Sequence, residues 1–296
     1  MYYTQLRAFH AVAIYGGFSK AAMQLRLAQP SISAHVRTLE NDFGVLLFNR
    51  RKRSVQPTEL GEQLLRVTRR LIETEQEAIE LLTETQVLER GFLALAADGP
   101  THAIPLIAHY RKQYPGVKVI LKTGNTREVH DWLTDFKADI LVAAQMPKDD
   151  RLVQVTLRRD PMVAYVSASH PWSRRKTVSL EEFADTSVVI REKGSTTRHL
   201  LEDELTRRNI QPADYFEVDG QEAARAAVAA GLGVGIISKP ELGNDSGLVS
   251  LRLNDCKIEM EEVIACLKER QHLKIIQSFI DLAKDQTRAD RLKSKN

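Results

Sequence analysis

The stretch LAQPSISAHVRTLENDFG, residues 27–44, predicts a short helix with two different faces. Pro30 suits the first turn of a helix, where its missing N–H is not needed and its fixed φ is already helical. Apolar residues then recur at spacings of four, three and four, which predicts one buried face: Ile32, Val36, Leu39 and Phe43. The opposite face carries small or hydrogen-bonding side chains and one arginine, so it is suited to lie against another molecule.

The segments on either side of this helix predict a helix-turn-helix followed by a basic ribbon. Two shorter helical patterns precede it, and the last two helices are joined by a tight turn. The segment LFNRRKRSVQPT, residues 47–58, follows with four consecutive bases in a β-like ribbon ending at Pro57. A basic run alone is most often a solvated loop. Directly after a helix-turn-helix, it is better interpreted as a wing along a phosphate backbone.

The charge of the chain is concentrated at its beginning. The 296 residues carry a formal net charge of +3, with 43% apolar and 27% charged residues, as in ordinary globular proteins. Residues 1–60 hold eight Lys and Arg against three acids, whereas the remainder holds 34 bases against 36 acids. Because Lys and Arg supply the non-specific attraction to phosphates, this asymmetry predicts that the first sixty residues face a nucleic acid.

A long helix is predicted after the ribbon, from Thr58 to about Leu88. The residues that recur along it at alternating spacings of four and three are mostly large aliphatics, a pattern typical of a coiled-coil seam. These residues are Leu60, Leu64, Val67, Leu71, Thr74, Ala78, Leu81, Thr85 and Leu88. The alternative is an amphipathic helix packed on its own chain. The length and the charged flanks favour a homodimer, which would also place two recognition helices at a fixed separation.

From Phe92 onward the pattern changes to alternating strands and helices. Six apolar runs predict strands buried on both faces, as in parallel α/β sheets, at 92–97, 117–121, 140–144, 162–166, 187–190 and 234–238. Helices are expected near 101–113, 126–136, 195–208 and 221–230. About 200 residues of this pattern are too many for one simple sheet, so two α/β lobes are predicted.

Several classes of function are disfavoured. The sequence has no GxSxG, HExxH, Walker or CxxC pattern, and GLGVG at 231–235 follows a helix and precedes a strand, opposite to a dinucleotide fingerprint. Cys256 and Cys266 stand at the two ends of one extended run and are expected to stay reduced. No apolar run spans a bilayer, and the first residues do not resemble a secretory signal, which predicts a cytoplasmic, non-membrane protein. A transport-type binding protein is disfavoured on the same ground.

The first sixty residues resemble the signature of LysR-type transcriptional regulators. The residues that carry the resemblance are Phe18, Ala21, Leu25, Gln29, Pro30, Ser31, Ile32, Ser33, Leu39, Glu40, Gly44, Leu47, Phe48, Arg50, Arg53, Thr58 and Gly61. The resemblance implies a regulator of transcription rather than an enzyme, with no cofactor. Its partners would be double-stranded DNA, a small effector, further copies of the chain up to a tetramer, and RNA polymerase.

The resemblance also implies a division of the chain. Residues 1–58 would form a winged helix-turn-helix, 59–89 a linker and dimerisation helix, and 90–296 an α/β effector domain similar to type 2 periplasmic binding proteins. One lobe would hold about 90–161 and 267–296, and the other about 162–266. The residues expected to contact DNA are Gln29, Pro30, Ser31, Ser33, His35, Arg37, Arg50, Arg51, Lys52 and Arg53. His35 stands where the family usually has Gln, so the base preference there is open.

Helix starts that follow strands are candidate ligand sites in the second part. Exposed N–H groups, hydroxyls and the helix dipole suit an anion there, although any one of these starts could be a plain N-cap. The candidates are Thr101, His102, Asn125, Thr126, Ser195, Thr196, Thr197, Arg198 and Glu222, with Glu222 or Asp98 receiving an ammonium group.

The stretches GNTREV, REKGSTTR and VAAGLGVGIIS resemble the subgroup associated with aminoethylphosphonate catabolism. This resemblance implies 2-aminoethylphosphonate or a relative as the anionic effector. A small carboxylate effector and a repressor without any ligand remain the alternatives.

Overall fold

The computed structural model describes residues 2–49, 55–82, 88, 91–145, 148–243 and 245–293. The chain divides into two compact units, residues 1–86 and 87–296. No helix in the described part of the chain is long and apolar enough to cross a membrane.

The first unit is a helical bundle with a small β ribbon. Its elements are α1 (Tyr3–Tyr15), α2 (Phe18–Leu25), α3 (Gln29–Phe43), β1 (Phe48–Asn49), β2 (Gln56–Pro57) and α4 (Glu59–Leu82). The strands pair antiparallel, so the predicted ribbon ending at Pro57 is present. Phe9, Val12, Ile32, Val36 and Leu39 form the centre of its apolar core.

The prediction that Phe43 belongs to the buried face of α3 is wrong. Phe43 is 59% exposed, and its ring lies 5.1 Å from the ring of Tyr2. The buried position of that last turn is Glu40, whose Oε1 accepts bonds from the N–H groups of Leu47 at 2.8 Å and Phe48 at 3.4 Å. The chain folds back over Glu40 after α3, because this buried carboxylate satisfies two backbone donors.

The start of α4 is fixed by Thr58. Its Oγ1 accepts a bond from the N–H of Gly61 at 3.0 Å and donates one to the carbonyl of Leu46 at 2.8 Å. Gly61 is required there, because a Cβ would clash with the carbonyl oxygen of Leu47. Together these contacts tie the helix to the ribbon.

Only part of the predicted coiled-coil seam on α4 is exposed to solvent. Leu60, Val67 and Leu71 are 44%, 52% and 38% exposed, whereas Leu64 packs on the core of its own unit. The described part of the helix ends at Leu82 and Leu88 lies in a turn, while residues 83–87 lie outside the described part of the chain, so the predicted extension towards Leu88 stays a prediction. The side chain of Leu81 and the position of Thr85 lie outside the described residues.

The second unit contains ten strands and six α-helices within its described residues. The helices are α5 (Pro100–Gln113), α6 (Thr126–Thr134), α7 (Thr196–Arg207), α8 (Gln221–Ala229), α9 (Lys239–Leu242) and α10 (Lys274–Lys293). The strands are β3 (Phe92–Ala97), β4 (Lys118–Thr123), β5 (Ile140–Ala144), β6 (Leu152–Ser167), β7 (Thr177–Val178), β8 (Ser187–Arg191), β9 (Asp214–Val218), β10 (Gly235–Ser238), β11 (Leu248–Leu253) and β12 (Glu259–Leu267).

The sheets are mixed rather than wholly parallel. The main sheet has the order β4-β3-β5-β12-β6-β11-β7, with β10 also paired to β6. Strand β3 is parallel to β4 and β5, and β8 is parallel to β9, whereas β10, β11 and β12 run antiparallel to β6. The prediction of strands buried on both faces is wrong for β4, most of whose residues are exposed, because it lies at the edge of the sheet.

Two apolar cores define two lobes joined by β6 and β12. In the first lobe Leu95, Tyr110, Ile140 and Phe279 share a core, so α10 packs back onto the lobe in which the unit begins. The second lobe is centred on Phe183, Val188 and neighbouring residues. Val263 already packs in the first lobe, so β12 returns to it a few residues before the expected position 267.

Candidate functional site

The outer face of α3 presents the predicted polar residues. Gln29, Pro30, Ser31 and Arg37 are exposed, and Ser33 and His35 are half-buried. The side-chain amide of Gln29 donates to the Ser33 hydroxyl at 3.0 Å. Ser33 and Arg37 also line a groove of about 340 Å³ with residues of the ribbon. The four bases Arg50, Arg51, Lys52 and Arg53 lie outside the described residues.

A wide cleft lies between the lobes of the second unit. Its volume is about 1360 Å³. It opens where four parallel strands end, and the residue that follows each of them lines it: Asp98 after β3, Gly124 after β4, Glu192 after β8 and Asp219 after β9. Ligands of open α/β sheets bind at such carboxyl ends, so this cleft is the candidate ligand site.

Most of the predicted helix-start residues meet in this region. Thr101, Asn125 and Glu222 line the wide cleft. Asn125, Thr126, Ser195, Thr196 and Thr197 line a small cavity at its inner end. Asn125 is also a true N-cap: its Oδ1 accepts from the N–H of Glu128 at 3.0 Å, and Glu128 Oε2 accepts from the N–H of Asn125 at 2.9 Å.

A chain of hydrogen bonds joins the two lobes at the small cavity. The Thr126 hydroxyl donates to Asp98 Oδ2 at 2.7 Å and accepts from the N–H of Thr196 at 3.3 Å. The N–H of Ala144 also donates to Asp98 Oδ2, at 2.9 Å. Beside them, the N–H of Arg127 donates to the carbonyl of Gly194 at 3.2 Å. The starts of α6 and α7 are therefore in direct contact.

The structure does not bring His102 and Arg198 into the cleft. His102 lies in an outer groove beside Arg158 and Arg159, and burial, followed by the charge of Arg158, lowers its pKa. Arg198 is held by Glu202 and Glu217, each at 2.8 Å. It lines a second groove of about 1000 Å³, also bounded by both lobes, together with Thr126, Ser195 and Thr196. His102 is therefore separated from the other predicted residues, whereas Arg198 stays beside the starts of α6 and α7 without lining the cleft.

Three carboxyl groups at the cleft have raised pKa values. Burial raises the pKa of Asp98, although bonds from Ala144 and Thr126 oppose it. Burial and the charge of Asp98 raise the pKa of Glu241 to about 7. Burial, with Asp98 and Glu241 nearby, raises the pKa of Glu262 well above its ordinary value. The cleft therefore contains more carboxyl groups than the sequence predicts.

Sequence reasoning missed Glu241, Glu262 and the Arg191–Glu192 pair, whose side chains meet at 2.7 Å. A signal for two of them was present. Glu241 comes shortly after the end of β10, and Glu262 interrupts a strand that is otherwise buried and largely apolar. A charged residue in a buried strand rarely stays there without a specific role.

The comparisons with known proteins define the class. The LysR substrate binding domain matches residues 88–288, and the helix-turn-helix of bacterial regulatory proteins of the LysR family matches residues 3–62. The chain belongs to the LysR family: it is a DNA-binding transcriptional regulator with an effector-binding domain and not an enzyme. The predicted family and fold class are confirmed, and the phosphonate subgroup stays a prediction.

Particular relatives share most of the chain. The HTH-type transcriptional activator CmpR of Synechocystis is 28% identical over 285 residues, covering 94% of this chain and 93% of its own length. Full-length OxyR of Pseudomonas aeruginosa superimposes with a TM-score of 0.75 at 22% identity, covering 96% and 95%. The CcmR regulatory domain of Synechocystis, in complex with 2-PG, gives a TM-score of 0.62 at 26% identity, covering 67% and 98%.

Replacing Thr126 with Val tests the hydrogen-bond chain. The change keeps the shape but removes the donor to Asp98 and the acceptor for Thr196, so we expect a loss of about 1–3 kcal/mol in unfolding free energy. Urea unfolding followed by the fluorescence of Trp132 and Trp172, both in the second unit, measures it. Thr101→Val is the control, because Thr101 is exposed, and it should change stability by no more than about 0.5 kcal/mol. Equal stabilities of the two variants would contradict the role given to Thr126.

Proposed function

We propose that the chain binds double-stranded DNA through α3 and the ribbon, works as a homodimer joined through α4, and is controlled by a small molecule in the cleft. The observation that carries the proposal is the cleft itself, which both lobes line with polar groups beside the hydrogen bonds that join them. Pairing of dimers into tetramers and a contact with RNA polymerase are further proposals that rest on the family alone.

The DNA-binding surface is supported by the geometry of the first unit. The exposed face of α3 carries short polar side chains and Arg37, while its other face is buried in the core. The ribbon is tied to the end of α3 through Glu40. A recognition helix held against a wing can place one element in the major groove and the other on phosphates. His35, Ser31 and Ser33 are then candidates for contacts with base edges.

Replacing Arg50, Arg51, Lys52 and Arg53 together with Ala tests the ribbon. Each phosphate that a base neutralises releases about one counterion. We therefore expect weaker binding, and a slope of log K against log salt that is flatter by about one unit for each phosphate no longer neutralised. Fluorescence anisotropy with a random duplex from low to moderate salt measures this, because phosphate contacts do not depend on sequence.

A charge-matched control uses four bases of the second unit. Replacing Lys118, Arg252, Lys257 and Lys268, all exposed, removes the same charge far along the sequence from the ribbon. This control should leave the slope unchanged. An identical slope for the ribbon variant and the wild type would remove the ribbon from the interface.

The dimer is supported by the apolar face of α4. Leu60, Val67 and Leu71 are between 38% and 52% exposed and lie on one side of the helix at spacings of seven and four. An exposed apolar stripe at this spacing is typical of a helix that pairs with a second copy.

Leu71→Asp tests this interface. It would place an unpaired charge in the seam, so we expect the dimer to dissociate. Sedimentation velocity on the full chain measures the oligomeric state, and Arg70→Asp, at an exposed neighbouring position, is the control. An unchanged oligomer in Leu71→Asp would place the contact in the effector domain.

The proposed effector has an anionic head, with 2-aminoethylphosphonate as the candidate. The N-termini of α5 and α8, with Thr101 and Gln221 in their first turns, line the cleft and suit an anion. The relative CcmR is named in complex with 2-PG, which supports a ligand in this domain. A small carboxylate effector and a repressor without a ligand are the alternatives.

Calorimetry of the full chain with 2-aminoethylphosphonate and with benzoate separates these cases. We expect the phosphonate to bind, and Thr196→Val to weaken binding by about 1–3 kcal/mol because one hydroxyl is removed at nearly constant shape. Leu65→Met in the first unit is the control and should not change the affinity. Binding of benzoate alone would favour a carboxylate effector, and no heat with either would favour the repressor without a ligand.

A further inference from the structure

The inner end of the cleft contains a small cavity surrounded by carboxyl groups. Its volume is about 20 Å³, enough for one water-sized group. Asp98 of the first lobe, Glu241 of the second and Glu262 of the crossing strand β12 all line it. Among the described residues of its wall, Arg191 is the one positive side chain, and it already donates twice to Glu192, at 2.7 and 2.8 Å. The wall therefore holds three carboxyl groups and no positive side chain that is free of a carboxylate partner among its described residues.

Glu262 is the residue that points to a ligand. Its side chain is 3% exposed, and its Oε1 has no hydrogen-bond partner among the described residues. A buried carboxyl oxygen without a donor is costly, so it is expected to face a group that supplies one. By contrast, Asp98 is supplied by Ala144 and Thr126.

The backbone around the cavity is shaped to present these acids. The pairing of β12 with β6 shifts register between Glu262 and Val263, where one extra residue of β6 is left unpaired. Such bulges re-aim a side chain and are frequent at binding sites. Gly99 has no Cβ, and a Cβ there would lie only 2.4 Å from Oε1 of Glu241. Glu241 can therefore approach the end of β3.

We propose that this cavity binds the ammonium group of the effector, held by Glu262, Glu241 and Asp98. The assignment rests on the proposed function, because it concerns one end of the ligand in the same cleft. It makes the effector a primary amine that also carries an anionic head, rather than a simple anion. Of the two acids expected from the sequence to receive the ammonium, Asp98 lines this cavity, whereas Glu222 is exposed on the wide part of the cleft and would attract it less strongly.

The charges around Glu262 fix how binding depends on pH. It faces Asp98 after β3, Glu241 of α9, and Asp160 and Arg158 of β6, and burial keeps the pKa of Glu262 high. Arg158 is paired with Asp160. The carboxyl groups must release protons to receive a cation, so binding of an ammonium group is tighter at pH 8 than at pH 6.

Thermal shift of the full chain with matched probes tests the proposal. The pairs are 2-aminoethylphosphonate against ethylphosphonate and β-alanine against propionate, with ethylammonium chloride against sodium chloride at equal ionic strength. We expect the amine member of each pair to raise the Tm of the wild type more than its partner, and more so at pH 8 than at pH 6. In Glu262→Gln the affinity for the amine probes should fall on the order of 30-fold, and its dependence on pH should weaken.

Glu259→Gln is the matched control, because Glu259 lies on the same strand but is exposed. It should respond as the wild type does. Ethylphosphonate should shift the wild type and Glu262→Gln equally, which also shows that the variant is folded.

Three results would overturn the ammonium site. Equal shifts from both members of every pair would leave an anion pocket without a cation site, and the proposed function would stand. No shift with any amine, or equal shifts with ethylammonium and sodium, would also reject it. If the amines bind as expected but no probe changes the affinity for DNA, the cation site stands and the proposed control of DNA binding fails.

Discussion

The arrangement of the effector unit depends on the half-buried carboxyl group of Asp98. It stands at the end of β3, where its Oδ2 accepts one bond from the neighbouring strand and one from the start of α6. The same Thr126 hydroxyl then receives the first N–H of α7, in the other lobe. Because a buried carboxylate is stable only with such donors, the loops after β3, β4 and β5 are fixed together, and the edge of the cleft is formed before any ligand arrives.

Local patterns in the sequence were sufficient for most of the architecture. The start of α3 at Gln29, the ribbon and the runs that became β3 and β5 follow from proline chemistry and apolar periodicity, which act over a few residues. Phe43 was assigned to the core wrongly, because periodicity cannot show that the chain folds back over Glu40. The end of α4 stays a prediction, because its seam pattern continues beyond Leu82, the last residue of the helix that the structure describes.

The candidate site could be predicted only in part. Thr126 and Thr196 were found because each begins a helix after a strand, which is visible locally. Asp98, which follows a predicted strand, was also named as an acid for an ammonium group. Glu241 and Glu262 were missed, because they join Asp98 from distant positions through the strand order and a bulge that no local pattern reveals. His102 and Arg198 were assigned to the site because they are close in sequence to such starts, yet each lines a separate groove beside the cleft.

The position of the three acids gives the cleft a means to sense its ligand. A ligand can shift an equilibrium between two arrangements only by binding one of them better. Asp98 belongs to one lobe, Glu241 to the other and Glu262 to the strand that joins them, so a cation between them interacts with all three only when the lobes hold their present spacing. Without a cation the charges of the acids repel one another, which raises their pKa values. This repulsion favours either protonation of the carboxyl groups or separation of the lobes. The N-termini of α5 and α8, proposed for the anionic head, also belong to different lobes, so in the proposed binding mode both ends of the ligand couple binding to the spacing of the lobes.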